Sequence, residues 1–157
     1  MKHTISVLVE NKFGVLARVA GLFSARGYNI ASLAVSETLD PEISNMTIVV
    51  NAEDEKILEQ INKQLNKLID VITVTDFTKK DHAERELVLL KVDYSAKDKA
   101  KLEAILKKYF AKLIKHKDNS AIVEVVGEQD QIKNLLEDLK PLGIKEMVRT
   151  GKIAIAE

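Results

Sequence analysis

The sequence predicts an α+β protein built from two consecutive units, each with the order βαββαβ. Three observations carry that prediction. Apolar residues switch along the chain between the short runs of strands and the 3–4 spacing of amphipathic helices, and the cycle runs twice. A polar stretch, residues 78–84 (TKKDHAE), separates the two cycles. Turn and capping residues fall between the elements rather than inside them.

In the first cycle Thr4 to Val9 (TISVLV) reads as a buried strand. From Gly14 the residues Val15, Leu16, Val19, Leu22 and Phe23 recur at helical spacing, and Gly27 supplies a C-terminal stop. Asn29–Thr38 and Asn45–Val50 read as strands around the turn-type cluster Leu39-Asp40-Pro41-Glu42. Asn51 then caps a second helix, with Asp54 in a capping-box-like position and an apolar face of Ile57, Leu58, Ile61, Leu65 and Leu68. Val71 to Phe77 closes the cycle as a fourth strand.

The second cycle opens with the strand Glu86–Val92. Ser95 with Asp98 makes another capping-box start, and Leu102, Ile105, Leu106, Tyr109 and Phe110 line the helix that follows. Leu113–Lys117 and Ala121–Val126 form a hairpin turning at Asp118-Asn119. A short helix carries Ile132, Leu135, Leu136 and Leu139 until Pro141 and Gly143 stop it, and Ile144–Val148, continuing toward Ile155, completes the cycle. This order suits two tandem ferredoxin-like sandwiches, each with helices on one face of a sheet. The expected division is residues 1–77, a linker at 78–84, and residues 85–157.

Each unit has roughly 75 residues, a size at which one core gives modest stability. The edge candidate Ala31–Thr38 (ASLAVSET) carries a single charge and is poorly defended against pairing. A homo-oligomer joined sheet edge to sheet edge is therefore expected, with intramolecular packing of the two halves as the competing arrangement.

Composition excludes several function classes. Lys+Arg and Asp+Glu balance at 24 each, so no global basic field recruits nucleic acid. The absence of cysteine rules out disulfides, thiolate catalysis and cysteine-ligated metal, and fits a reducing cytoplasm. The first residues lack the features of a signal peptide, and no apolar run approaches a membrane span. The sequon Asn45-Met46-Thr47 falls in a predicted strand and is read as chance.

Catalytic constellations are equally missing. His3, His82 and His116 show no metal-ligand spacing, and there is no phosphate loop, dinucleotide fingerprint or nucleophile elbow. Acidic groups such as Glu53-Asp54-Glu55 and Glu137-Asp138 fall on solvated helix faces. An RNA-recognition domain would stack bases on aromatic residues in its central strands. The predicted central strands Thr4–Val9 and Asn45–Val50 contain none, and Lys107, Lys108, Lys112, Lys115 and Lys117 read as a solvated face.

The remaining candidate is the first turn. Phe13-Gly14-Val15-Leu16 would present free N–H groups at a helix N-terminus, which attracts anions such as a carboxylate. Gly14 permits close approach to the backbone, and Asn11 and Asn29 each offer acceptor and donors suited to a zwitterion. Val15, Leu16 and Ile30 could flank an aliphatic side chain. On the residues alone a tight turn at Gly14, with asparagines capping local backbone, is the favoured reading.

The stretches Ile5–Asn11, Gly14–Val19, Gly21–Ser24 and Arg26–Ile30 closely resemble the small, regulatory subunit of acetolactate synthase (acetohydroxyacid synthase). Ser32-Leu33, Met46-Thr47-Ile48, the run Gln60–Val71, Glu84–Leu87, Gly143–Glu146 and Arg149-Thr150-Gly151 extend the likeness over nearly the whole chain. The resemblance implies an N-terminal ACT domain that binds a branched-chain amino acid, valine being typical, and a ferredoxin-like C-terminal domain. It also implies dimerisation through the ACT domains, with Asn11, Gly14, Val15 and Leu16 of one subunit facing Asn29 and Ile30 of its partner across each effector site. Such a subunit has no catalytic centre or cofactor of its own. It activates a large catalytic subunit holding thiamine diphosphate, magnesium and FAD, and confers feedback inhibition. Residues 111–118 (AKLIKHKD) depart from the family pattern, in which an arginine and an acidic residue are usual. The alternatives are a free-standing ACT-type amino-acid sensor and a small acylphosphatase-like enzyme; the latter needs an arginine-bearing first turn, and Asn11-Lys12-Phe13-Gly14 has none.

Overall fold

The computed structural model describes residues 2–52, 55–78 and 80–157. They divide into two compact units, one of residues 1–84 with 152–157 and one of residues 85–151. The first unit contains β1 (Lys2–Glu10), α1 (Val15–Ser24), β2 (Ile30–Glu37), β3 (Ile43–Asn51), α2 (Glu55–Leu65) and β4 (Val71–Asp76). The strands form an antiparallel sheet in the order β2-β3-β1-β4. Burial follows the pleat. Ile5, Val7 and Val9 of β1 lie across from Ile48, Met46 and Ser44 of β3, all on one face. Val15, Val19, Leu22 and Phe23 of α1, with Leu58, Ile61 and Leu65 of α2, cover that face.

β5 (His82–Asp93) opens the second series, followed by α3 (Lys99–Lys108), β6 (Lys112–Lys117), β7 (Ser120–Gly127), α4 (Gln129–Leu139) and β8 (Ile144–Arg149). The sheet order β6-β7-β5-β8 repeats that of the first unit. Its core joins Val88, Leu90 and Val92 to Leu102, Ile105, Ile132, Leu135 and Leu139. The two units are thus a tandem pair of ferredoxin-like α+β sandwiches, as the periodicity predicts.

Several local details differ from expectation. His82–Glu84, within the stretch expected as a linker, belong to β5. The chain after Gly151 does not continue β8. It forms a separate β9 (Ile153–Ala156) that pairs with β5 and groups with the first unit, where Lys152 Nζ binds Glu84 Oε1 at 2.9 Å. Ser95 does not cap backbone. Its hydroxyl donates to the Asp98 carboxylate, and a 3-10 turn over Ala96–Asp98 leads into α3. The capping position of Asp54 lies outside the described residues. Phe110 is not on the α3 face; it stands beyond the helix end with φ 54° and is largely exposed.

Candidate functional site

The first turn is built where β1 runs out. Glu10 N–H donates to Asp70 C=O at 2.9 Å, and Asn11 N–H donates to Glu42 C=O at 2.7 Å. The Asn11 side chain continues the tie, its Nδ2 donating to Glu37 Oε1 at 3.1 Å and to Pro41 C=O at 2.9 Å. The Asn11 side chain therefore does not cap its own turn but bonds the end of β2 and the β2–β3 loop, 26 and 30 residues on. Lys12 Nζ pairs with Glu10 Oε2 at 2.6 Å, and that hydrogen bond raises the ammonium above its ordinary value.

Gly14 is the residue before α1 and sits at φ 81°, in the left-handed region that costs any other L-residue about 1–2 kcal/mol. No side chain caps α1, and Val15 N–H bonds Lys12 C=O at 3.3 Å, so the N–H groups of Leu16 and Ala17 are the ones left for solvent or a ligand. Arg18 N–H already bonds back to Gly14 C=O at 3.0 Å. Val15 is buried in the core, whereas Leu16 is exposed and Phe13 is fully exposed. Leu39 and Ile69, on the two loops bonded to this turn through Asn11 and Glu10, are exposed as well.

Asn29 and Ile30 stand elsewhere. Ile30 pairs with Val50, and Val50 pairs with His3, so the start of β2 is level with the start of β1. Seven residues of β1 (10 − 3) separate that level from Glu10, about 23 Å at strand rise. The structure brings Asn11, Gly14, Val15 and Leu16 together at one end of the sheet and leaves Asn29 and Ile30 at the other. One chain cannot close a single small-molecule site from both groups.

Sequence reasoning missed Glu37, Glu42, Arg18 and Asp70 as parts of this region. Arg18 was within reach, because it lies four residues after Gly14 and so on the same side of the helix. Asp70, 52 residues further on, had no local signal. The histidines scatter. His3 is buried and bonds Thr78 Oγ1 at 3.1 Å, His82 bonds Lys80 C=O at 2.8 Å and stacks on Phe77, and His116 lies against Tyr94. Among the described residues no group of three or more metal-ligating side chains is placed to hold an ion, and no helix is long and apolar enough to cross a membrane.

The βαββαβ unit whose first helix opens on the glycine turn is an ACT domain: residues 5–73 match the AHAS small subunit-like ACT domain. Residues 85–157 match the family described as the small subunit of acetolactate synthase. The chain is 46% identical to a probable acetolactate synthase small subunit of Archaeoglobus fulgidus, over 99% of this chain and 96% of that one. It is 43% identical to the acetolactate synthase small subunit of Bacillus subtilis, over 99% and 91%. The crystal structure of the small subunit from Thermotoga maritima superposes with a TM-score of 0.89 at 34% identity, covering 100% of this chain and 98% of that one. The chain belongs to the family of acetolactate synthase small subunits.

Proposed function

We propose that this chain is the regulatory partner of a large acetolactate synthase subunit, and that it binds a branched-chain amino acid, with valine the first candidate, at sites shared between two copies. The observation that carries the shared site is the register of the first sheet. Asn11–Leu16 and Asn29–Ile30 stand about 23 Å apart in one chain. A second copy set against the first, head beside tail, brings the Asn29–Ile30 wall of one to the Asn11–Leu16 wall of the other.

The unbonded N–H groups of Leu16 and Ala17 suit the effector's carboxylate, the asparagine amide oxygens its ammonium, and Leu16 and Ile30 its branched side chain. β2 supports the pairing, because it is an edge strand with only Glu37 charged. Exposed Phe13, Leu39 and Ile69 around the turn offer apolar surface of the kind that marks contacts between chains. On this reading domain one, residues 1–77, senses and dimerises. The segment 78–84 joins it to domain two, 85–157, and thiamine diphosphate, magnesium and FAD reside in the cytoplasmic catalytic partner. Regulation then requires the effector to bind the two states of the holoenzyme with different affinity, and linkage makes the catalytic partner alter effector affinity in turn.

Calorimetry of valine, leucine and isoleucine on the purified chain, with and without the large subunit, tests the reading. Heat of binding to wild type and its loss in Gly14→Asp are expected. Failure of wild type to bind any of the three in either setting removes the effector assignment. Co-purification of a thiamine-diphosphate enzyme with the tagged chain separates this role from a free-standing sensor.

A further inference from the structure

Arg18 and Asp70 are outside the effector walls described above, yet they touch the turn from beneath. Arg18 Nε and Nη2 both lie 2.8 Å from Asp70 Oδ2. The Asp70 side chain is 11% exposed, so its charge is largely removed from water, while the arginine is half-exposed. The third guanidinium nitrogen, Nη1, stands 3.1 Å from the point a Cβ on Gly14 would occupy. Asp70 also reaches the turn's other side, since its carbonyl accepts the Glu10 N–H. One ion pair therefore ties the end of β1, the start of α1 and the segment before β4 at a single point.

We propose that the Arg18–Asp70 pair is the positioning element of the effector turn, setting the shape of residues 11–16 without touching the effector. The inference rests on the effector reading of that turn. Charge supply is the rival role for an arginine near a carboxylate site, and the geometry argues against it. Nε and Nη2 both bond Asp70 Oδ2, so the arginine's charge is already matched by a shielded anion. What remains at Nη1 is a rigid surface against Gly14. The fork needs a planar guanidinium, which a lysine cannot reproduce. Holding the turn in its binding shape before the effector arrives raises affinity by sparing the cost of ordering it.

The test uses the full chain with Arg18→Lys, Arg18→Gln and Asp70→Asn. Valine affinity is read by calorimetry, fold by thermal melting, and the turn by amide hydrogen exchange without effector. Positioning predicts that all three variants lose about tenfold in valine affinity, Arg18→Lys as much as Arg18→Gln. Exchange at residues 12–17 should rise while the helix cores stay protected. Arg18→Lys binding as wild type while Arg18→Gln fails would transfer the role to charge. Unchanged exchange at 12–17 in Asp70→Asn would overturn the proposal whether or not valine binds. Exchange rising equally throughout the first unit would reduce the pair to general stability. Wild type binding no amino acid, with exchange still confined to the turn, would count against the effector reading instead.

Discussion

The two units share a plan down to their irregularities, which makes their differences informative. In the first, Ile72 is the extra residue where β1 pairs with β4; in the second, Lys145 is the extra residue where β5 pairs with β8. Ala31 and Ile114 occupy matching bulges where β2 meets β3 and β6 meets β7. Such bulges raise local twist and end pairing cleanly, so their repetition marks one scaffold used twice. The units part at the edge strand and the first turn. β2 (IASLAVSE) carries one charge, whereas β6 (KLIKHK) carries three lysines and is exposed along its whole length. The first unit enters its helix through Gly14 at positive φ, and the second enters through an extended Ser95 and a 3-10 turn. One scaffold has an edge strand with a single charge and the positive-φ glycine turn on which the proposed effector site rests. The other has lysines that guard the same edge against pairing and no such turn.

Both units also seat a shielded carboxylate on an arginine, and this gives the largest expected effect. Arg149 Nε donates to Glu86 Oε1 at 2.8 Å and Nη2 bonds the other oxygen, with the Glu86 side chain 5% exposed. That hydrogen bonding raises the guanidinium's pKa. Arg149→Met strands a buried charge and is expected to cost about 3 kcal/mol of stability in urea denaturation. A loss below about 1 kcal/mol would show that Glu86 finds water or another donor.

The edge contrast comes next. Val35→Lys gives β2 the defence of β6 and is expected to weaken self-association about a hundredfold by sedimentation, with the monomer still folded. Unchanged association would move the interface away from β2.

The helix ends offer a smaller test. After α1, Gly27 sits at φ 68° while Gly27 N–H bonds Ser24 C=O and Tyr28 N–H bonds Phe23 C=O, a Schellman closure. After α3 the same pair of bonds forms, but the left-handed residue is Phe110. Phe110→Gly relieves about 1–2 kcal/mol of strain and adds about 0.5–1 kcal/mol of unfolded-chain entropy. A net gain of about 0.5–1 kcal/mol is expected, and any loss would mean that the exposed ring makes contacts in the assembly.

The smallest effect is electrostatic. Asp138 accepts from Lys108 Nζ and Tyr109 Oη, each at 2.8 Å. The first bond above all holds its carboxyl below the ordinary 3.8, and the Lys108 ammonium is pushed up to about 12. A depressed carboxyl stabilises the fold above its unfolded value, and the contribution fades as pH falls through the folded one. The melting-temperature gap between wild type and Asp138→Asn should be small and constant from neutral pH to about 4, then close in stronger acid.

Much of this organisation was legible in the chain. Period alone placed β1 through Ile5, Val7 and Val9, and α1 through Val15, Val19, Leu22 and Phe23, because burial on one face imposes that spacing. Pairings distant in sequence were not legible. Nothing local ties Asp70 to Arg18 or sends Lys152 to Glu84, and so the sequence pattern runs β8 on into the residues of β9. Phe110 misled because an apolar residue at helical spacing reads as core, although its backbone had already left the helix. For the turn, Gly14 and Asn11 are visible locally and the family resemblance puts Asn29 on a partner subunit, while the distance between Asn29 and Asn11 within one chain comes from the register.

The shared site is the central claim, and subunit complementation tests it most directly. Gly14→Asp breaks one wall and Asn29→Ala the other, so neither variant alone should take up valine where wild type saturates. Mixed in equal amounts and allowed to exchange, half the dimers are mixed, and each of those regains one intact site of two. Equilibrium dialysis should then recover about a quarter of the wild-type capacity. No recovery after demonstrated exchange would contradict a site built from two chains.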